Sequence, residues 1–427
     1  MSLKKKYLLI LILSISHFTN YGQQINYSNF FQYNSIGFIF RIAGKVGNNI
    51  HIWKFYSPHA SKTKETSRMS ILVFNDQMQL IAETPMKMMD ETIFGIDEYF
   101  QIEGNVCYAY IKYYTADNVA KTQVSKIDQN GAVISVNPYI NAPHPSYPSE
   151  NYPYAKIDST VYFATPNLLI TDSGFAEQPE LANNKRLSLK NLFIYKRNLN
   201  SKRLLLKLHF TSPTFNFGNA LVRLAKDNSI WVFASNLPDQ EKKHIDSSLL
   251  YSLFLAKLDS NFHEVSDNEK FFKLNSPDIA NSIFYRLENV FLINKNIFLL
   301  SFGTQLTTLY DYDIKSLRIL QLDETNKCLM DKIINTDLFK AKLLLGDCFY
   351  SSDTKGIDLF YGLELPHQSK GIFYISISDH SVTQNDIPVN PKYHYMLTNT
   401  TRIDEKTYVI PFTYHNEIGF MKWVNTN

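Results

Sequence analysis

Residues 221–261 read Leu221-Val-Arg-Leu-Ala225, then Lys226-Asp227-Asn228, then Ser229-Ile-Trp-Val-Phe-Ala-Ser235. After a polar gap they continue Tyr251-Ser-Leu-Phe-Leu-Ala-Lys-Leu258 and close on Asp259-Ser260-Asn261. The apolar runs are of strand length and rich in aromatic and β-branched residues, and the short polar triplets between them suit tight hairpins. Read outward, the stretch predicts four antiparallel strands in chain order. Tight turns join strands one to two and three to four, and a longer loop joins two to three.

The same frame recurs seven times along the chain. A long polar residue followed by an aliphatic one marks the first turn. Arg41-Ile42 precedes 51–56, Gln101-Ile102 precedes 106–111, Lys156-Ile157 precedes 160–165, and Arg223-Leu224 precedes 230–233. Leu292-Ile293 precedes 296–301, a divergent Ser352-Asp353 precedes 357–361, and Arg402-Ile403 precedes 407–410. A basic ring is one reading of the repeated Arg and Lys; equivalent packing in every unit is the simpler one. The second marker is an Asx-rich turn between strands three and four, at Asn75, Asp128, Asn200, Asp259, Asp323 and Asp379. Such residues close hairpins because their side chains bond nearby backbone and they tolerate positive φ. They lack the Asp-x-Asp-x-Asp-Gly spacing of a calcium loop, so they are read as turns.

The seventh unit runs through strands near 393–398, 407–412 and 418–424, and the sequence supplies no fourth. The segment 25–33, Ile-Asn-Tyr-Ser-Asn-Phe-Phe-Gln-Tyr, has strand character and precedes the first complete unit. Pairing it with the last unit would close a ring and leave no open edge between first and last sheets. The pattern resembles the β-propeller superfamily, most closely seven-bladed secreted bacterial propellers. The resemblance implies an all-β fold of seven four-stranded blades, with the ring closed by the N-terminal strand pairing with the last blade. It carries no residue roles. The chain lacks a Trp-Asp blade ending, paired kelch glycines and the Ser-x-Asp-x-Gly-x-Thr-Trp box.

Lys4, Lys5 and Lys6 precede the apolar run 7–16, which is too short to span a bilayer, so 1–22 read as a signal peptide. A single domain is expected to fill 23–427. Removing the leader takes away three lysines and no acidic residue, so the formal charge of +3 becomes zero. A neutral chain lacks the field that nucleic-acid or anionic-membrane binding draws on. The expectation is an exported protein, secreted, periplasmic or on the cell surface, with no nucleic-acid partner and no membrane insertion after signal cleavage. Cys107, Cys328 and Cys348 are too few for a disulfide framework, and only Cys328 and Cys348 are close enough in sequence to suggest a bridge. No Cys/His spacing marks zinc, and no metal or cofactor is expected.

In such a fold the fourth-to-first and second-to-third connections share one face, and function sits on loops held by a rigid scaffold. The longest loops on that face are 137–154, 166–191 and 236–248. The first interleaves prolines with His144, Tyr147, Tyr152 and Tyr154, a stiff strip of flat amphipathic rings suited to stacking on sugars or docking a peptide. Phe215 and Phe217, then Tyr393 and His394, repeat the Pro-plus-aromatic theme at equivalent connections, and His415 falls on the same face. These nine residues are the candidate ligand-binding set, for a glycan or protein ligand. The alternative is an extracellular polysaccharide hydrolase or lyase, which would need histidines such as His59, His244 and His367 to converge with Glu91, Glu150, Asp278 or Glu417.

Overall fold

The computed structural model describes residues 24–32, 38–56, 69–86, 94–114, 120–139, 155–157, 160–166, 169–170, 176–177, 190–198, 204–212, 215–236, 252–265, 271–273, 283–306, 312–335, 342–364, 371–379 and 381–426. Seven larger antiparallel sheets follow one another along the chain, and a two-stranded one, Leu169–Ile170 with Ala176–Glu177, lies within the third. The first is Phe38–Val46, Asn49–Tyr56, Met69–Phe74 and Leu80–Met86, and the second Phe94–Glu103, Val106–Tyr114, Ala120–Asp128 and Val133–Tyr139. The third is Ala155–Ile157, Thr160–Pro166, Asn191–Asn198 and Leu204–Thr211. The fourth is Phe217–Leu224, Ile230–Asn236, Ser252–Leu258 and Phe271–Lys273. The fifth is Ile283–Ile293, Asn296–Leu306, Tyr312–Asp323 and Cys328–Asn335, and the sixth Lys342–Ser352, Gly356–Glu364, Gly371–Ser378 and Ser381–Ile387. Each of these six is four strands paired in chain order. This is β-propeller architecture.

The seventh sheet also has four positions, but draws them from both ends of the chain. Thr407–Tyr414 and Glu417–Val424 form its central hairpin, and Gln24–Tyr27 pairs antiparallel along the far side, Gln24 opposite Val424 and Tyr27 opposite Met421. Phe31–Gln32 continues that edge opposite Ile418 and Glu417. Between the two pieces Ser28 steps out of the ladder, donating its N–H to Phe420 O while its Oγ accepts the Phe420 N–H. The first strand is also in two pieces, His394–Tyr395 and Thr401–Arg402, separated by a 3-10 turn at Leu397–Asn399. Pro411 explains the break. Its carbonyl accepts the Met396 N–H at 2.8 Å, but proline has no N–H to return, so the ladder cannot continue there.

The middle strands are buried on both faces, Met69–Phe74 and Ile230–Asn236 along their whole length, and build the core between sheets. Six apolar clusters each join two neighbouring sheets. They link first to second, third to fourth, fourth to fifth, fifth to sixth, sixth to seventh, and seventh back to first. Among these clusters of described residues none spans the second and third sheets. First strands lie against first strands where Phe38–Val46 packs on Phe94–Glu103 and Phe217–Leu224 on Ile283–Ile293.

Buried polar side chains tie neighbouring sheets together at their edges. His51 Nε2 meets Gln129 O at 3.0 Å between the first two sheets. The Arg223 guanidinium donates to Val290 O and Asn289 Oδ1 between fourth and fifth. Lys422, buried in the seventh sheet, donates to Asp76 O at 2.7 Å and Asp76 Oδ1 at 2.5 Å in the first.

The Asx turns do what their sequence predicts. Asn75, Asp128, Asp259 and Asp323 each place Oδ1 to accept backbone N–H groups two and four residues on. The residue three after each takes positive φ: Met78, Gly131, Phe262 and Asn326. For Met78 and Phe262 that conformation is unfavourable. Burial offsets it, since Met78 packs into the cluster joining seventh and first sheets and Phe262 lies against Tyr162 of the third.

One expectation from sequence needs correction, and one question it left open is answered. Phe215 and Phe217 are almost completely buried, Phe217 against Phe254 and Phe215 against Phe217, as core rather than as a binding surface. The reason is general: the residue leading into a first strand already faces the neighbouring sheet. Cys107, Cys328 and Cys348 are free thiols, so the suggested Cys328–Cys348 bridge does not form.

Phe217→Ala is expected to cost about 3–5 kcal/mol in stability, the usual penalty for emptying an aromatic core position, read by denaturant unfolding. An unaffected midpoint would place Phe217 outside the core. Deleting residues 24–32 is expected to lower the melting temperature markedly, because it exposes the outer edge of Glu417–Val424. A melt unchanged by that deletion would contradict the seventh sheet described above.

Candidate functional site

Rings from three distant segments meet at the end of the seventh sheet where Tyr414 and Glu417 face each other across the hairpin turn. Phe412 lies at the centre and is fully buried. Gly419 sits opposite it in register, and a Cβ there would come within 2.5 Å of the Phe412 ring. The absent side chain is what lets the ring lie flat on the strand.

Tyr393 stacks on Phe412 with centroids 4.6 Å apart and planes 11° from parallel. Tyr27 and Phe30, from the N-terminal segment, meet both rings edge-on at 5.5–6.0 Å. Tyr414 packs against Tyr393 at 5.7 Å and Phe30 at 6.0 Å, and His415 lies on Tyr414 at 4.1 Å. Offset and edge-to-face contacts of this kind are the favoured aromatic geometries. Phe30, Tyr393 and Tyr414 are half-buried, Tyr27 is 37% exposed, and His394 and His415 are exposed. The cluster therefore has a dry floor and a wet rim.

Its polar atoms are arranged too. Tyr27 Oη and Tyr395 Oη lie 3.3 Å apart, and Tyr395 Oη accepts the Asn390 N–H at 3.1 Å. Burial first, then the bond to Tyr27, pushes ionisation of the Tyr395 phenol far up, so it stays a neutral hydroxyl. Gln32 donates to Glu417 Oε1 at 3.4 Å beside the turn. Flat rings with half-exposed edges, hydroxyls and the His415 imidazole at the margin can stack on and hydrogen-bond a ligand with one apolar face.

Of the nine residues singled out from sequence, Tyr393 and His415 meet at this cluster, His394 is exposed opposite Thr413 in the adjoining strand pair, and Phe215 and Phe217 lie in the core. His144, Tyr147, Tyr152 and Tyr154 lie outside the described residues, as do His59, His244, His367, Glu91, Glu150 and Asp278. Glu417 is described, at the margin of the cluster. Sequence reading missed Tyr27, Phe30 and Tyr414. The aromatic spacing of 25–33 was a signal for the first two, but it was assigned to ring closure alone. Among the described residues no group of three His, Cys, Asp or Glu side chains is placed to hold a metal ion.

No family model matches this chain, and no curated protein matches it. Among solved structures it is similar to the β-propeller domain of the trilobed protease from Pyrococcus furiosus, at 8% identity over 91% of this chain and 96% of that one, with TM-score 0.34. It is similar to the WD40 domain of SCAP from fission yeast, at 8% identity over 95% and 98% of the two chains, with TM-score 0.31. A putative exo-β-1,3-galactanase from Bifidobacterium bifidum matches at 11% identity over 68% and 91%, with TM-score 0.31.

Proposed function

We propose that this chain is an exported β-propeller binding or scaffolding module that takes a glycan or protein ligand at its loop-bearing end. The observation that carries the reading is the half-exposed ring cluster of Tyr27, Phe30, Tyr393 and Tyr414 over buried Phe412. Rigid aromatic rings offer contact area at low conformational cost. This set is held by two chain ends that serve the fold as well, so the surface is preorganised. A flat pyranose face is the ligand such rings suit best, with an aromatic peptide side chain the protein equivalent.

The supporting context is of the same kind. The signal-like 1–22 supports export, and the zero net charge of 23–427 argues against a nucleic-acid partner or an anionic membrane. The seven sheets are read as one closed ring forming a single domain. The apolar cluster between seventh and first sheets and the Lys422–Asp76 bond support that closure.

The test is a thermal-melt screen of residues 23–427 against soluble oligosaccharides. A ligand at a hundred times its dissociation constant adds about 2.7 kcal/mol of stability, which a melt resolves. Tyr393→Ala and Tyr414→Ala are each expected to weaken the responding ligand roughly tenfold, while Lys226→Ala on the opposite tight-turn end leaves it unchanged. A response that survives the Tyr393→Ala/Tyr414→Ala double variant would place the ligand elsewhere.

A further inference from the structure

The first and second sheets meet through short polar contacts at their tight turns. Gly47, in the turn after Phe38–Val46, donates its N–H to Gly104 O at 3.1 Å in the matching turn of the second sheet. A Cβ at Gly47 would run into Gln129 Oε1 and Asn105 Oδ1, so its absence lets the two turns approach. Gln129 O then accepts from two side chains of Asn49–Tyr56, Asn49 Nδ2 at 2.9 Å and His51 Nε2 at 3.0 Å.

His51 is the unusual member of this junction. Of the described histidines, His51, His209, His263, His394 and His415, it alone is buried, with 0% of its surface exposed. A carbonyl oxygen only accepts, so Nε2 carries the proton and Nδ1 is the bare acceptor nitrogen. Nδ1 is buried with no hydrogen-bond partner. Two residues on along the same strand face, Trp53 Nε1 is also buried and unpartnered. It is an N–H donor, so it offers nothing to a second imidazole proton. The ring is thus built into the junction in its neutral form.

The groups around it do not offset a charge there. In its own sheet His51 lies between Gly44 and Val73, neither of them ionisable. Lys45 and Lys54, along the same two strands, pair with Asp404 and Glu83, and Arg41 pairs with Glu98 across the junction. In the second sheet Cys107 is fully buried, and burial pushes its thiol up to about 12, so it stays neutral. Asp128 supplies a carboxylate field, but its Oδ1 accepts the N–H groups of Asn130 and Ala132. Burial outweighs the Gln129 bond and that field, and holds the imidazole below its ordinary range.

We propose that His51 is an acid-sensitive latch between the first and second sheets, closed by the neutral ring and released when Nδ1 takes up a proton. The imidazolium so formed has a charge and an N–H that the closed junction leaves without a partner. A ring that binds its proton more readily once the junction opens contributes its full stability above about pH 6.5 and loses it as pH falls below that value. The other ties between sheets, Lys422 with Asp76 and Arg223 with Asn289, contain no histidine. The aromatic cluster of the seventh sheet takes no part in this junction.

The experiment is amide hydrogen exchange on the purified protein at pH 7.5, 6.5 and 5, expressed as protection relative to an unstructured chain. The Gly47 amide reports the junction because its bond crosses between the two sheets, and the Met396 amide, bonded to Pro411 O in the seventh sheet, is the control. Gly47 protection is expected to fall about tenfold between pH 7.5 and pH 5 while Met396 holds. His51→Gln keeps a donor for Gln129 O and has no proton to gain, so its Gly47 protection stays flat with pH, whatever its level at pH 7.5. Proton NMR of the parent supplies a reading that needs no variant: the His51 ring titrates below about pH 6.5. Gly47 protection that is flat in the parent, that falls equally in His51→Gln, or that falls together with Met396 overturns the proposal. So does a His51 ring that titrates at or above its ordinary value.

Discussion

The pairing of Gln24–Tyr27 with Met421–Val424 is the interaction on which the rest of the molecule depends. It joins residues almost four hundred positions apart and converts Glu417–Val424 from an edge strand into a central one. Exposed edges invite pairing with other chains, and this one is covered by the chain's own beginning. Three consequences follow. Trp423 and Met421 are sealed into the cluster with the sixth sheet. Lys422 is fixed where its ammonium donates to Asp76 beside the first sheet. Tyr27 and Phe30 are delivered to the rings of the seventh sheet. The same contact thus shapes the fold and the candidate binding surface.

The turns show how local chemistry and packing between sheets are joined. Each Asx side chain caps its own hairpin, which requires a residue with positive φ three positions later. Where that residue is Gly131 or Asn326 the backbone adopts it readily. Where it is Met78 or Phe262 the side chain is buried against the neighbouring sheet, and the packing offsets the unfavourable backbone. A feature that looks purely local in sequence therefore helps set how one sheet sits on the next.

The architecture was legible because its signals are local and repeated. Strand-length apolar runs, Asx turns and an unfinished last unit marked seven sheets and the role of residues 25–33. The interruption of the last first strand was not legible, since it arises from the missing N–H of Pro411 on the adjacent strand. The site was legible only in part. Tyr393, His394 and His415 stood out by loop position, yet the same reasoning chose Phe215 and Phe217, whose burial is set by a neighbouring sheet the sequence does not display. Tyr27 and Phe30 join the cluster only through long-range pairing.

Amide hydrogen exchange along Glu417–Val424 tests the central claim most directly. A strand paired on both sides exchanges only through large-scale opening. The account predicts that Met421–Val424 are as well protected as the buried strand Thr407–Tyr414, and that removing residues 24–32 selectively releases them. Rapid exchange at Met421–Val424 in the intact protein, typical of an open edge, would contradict it.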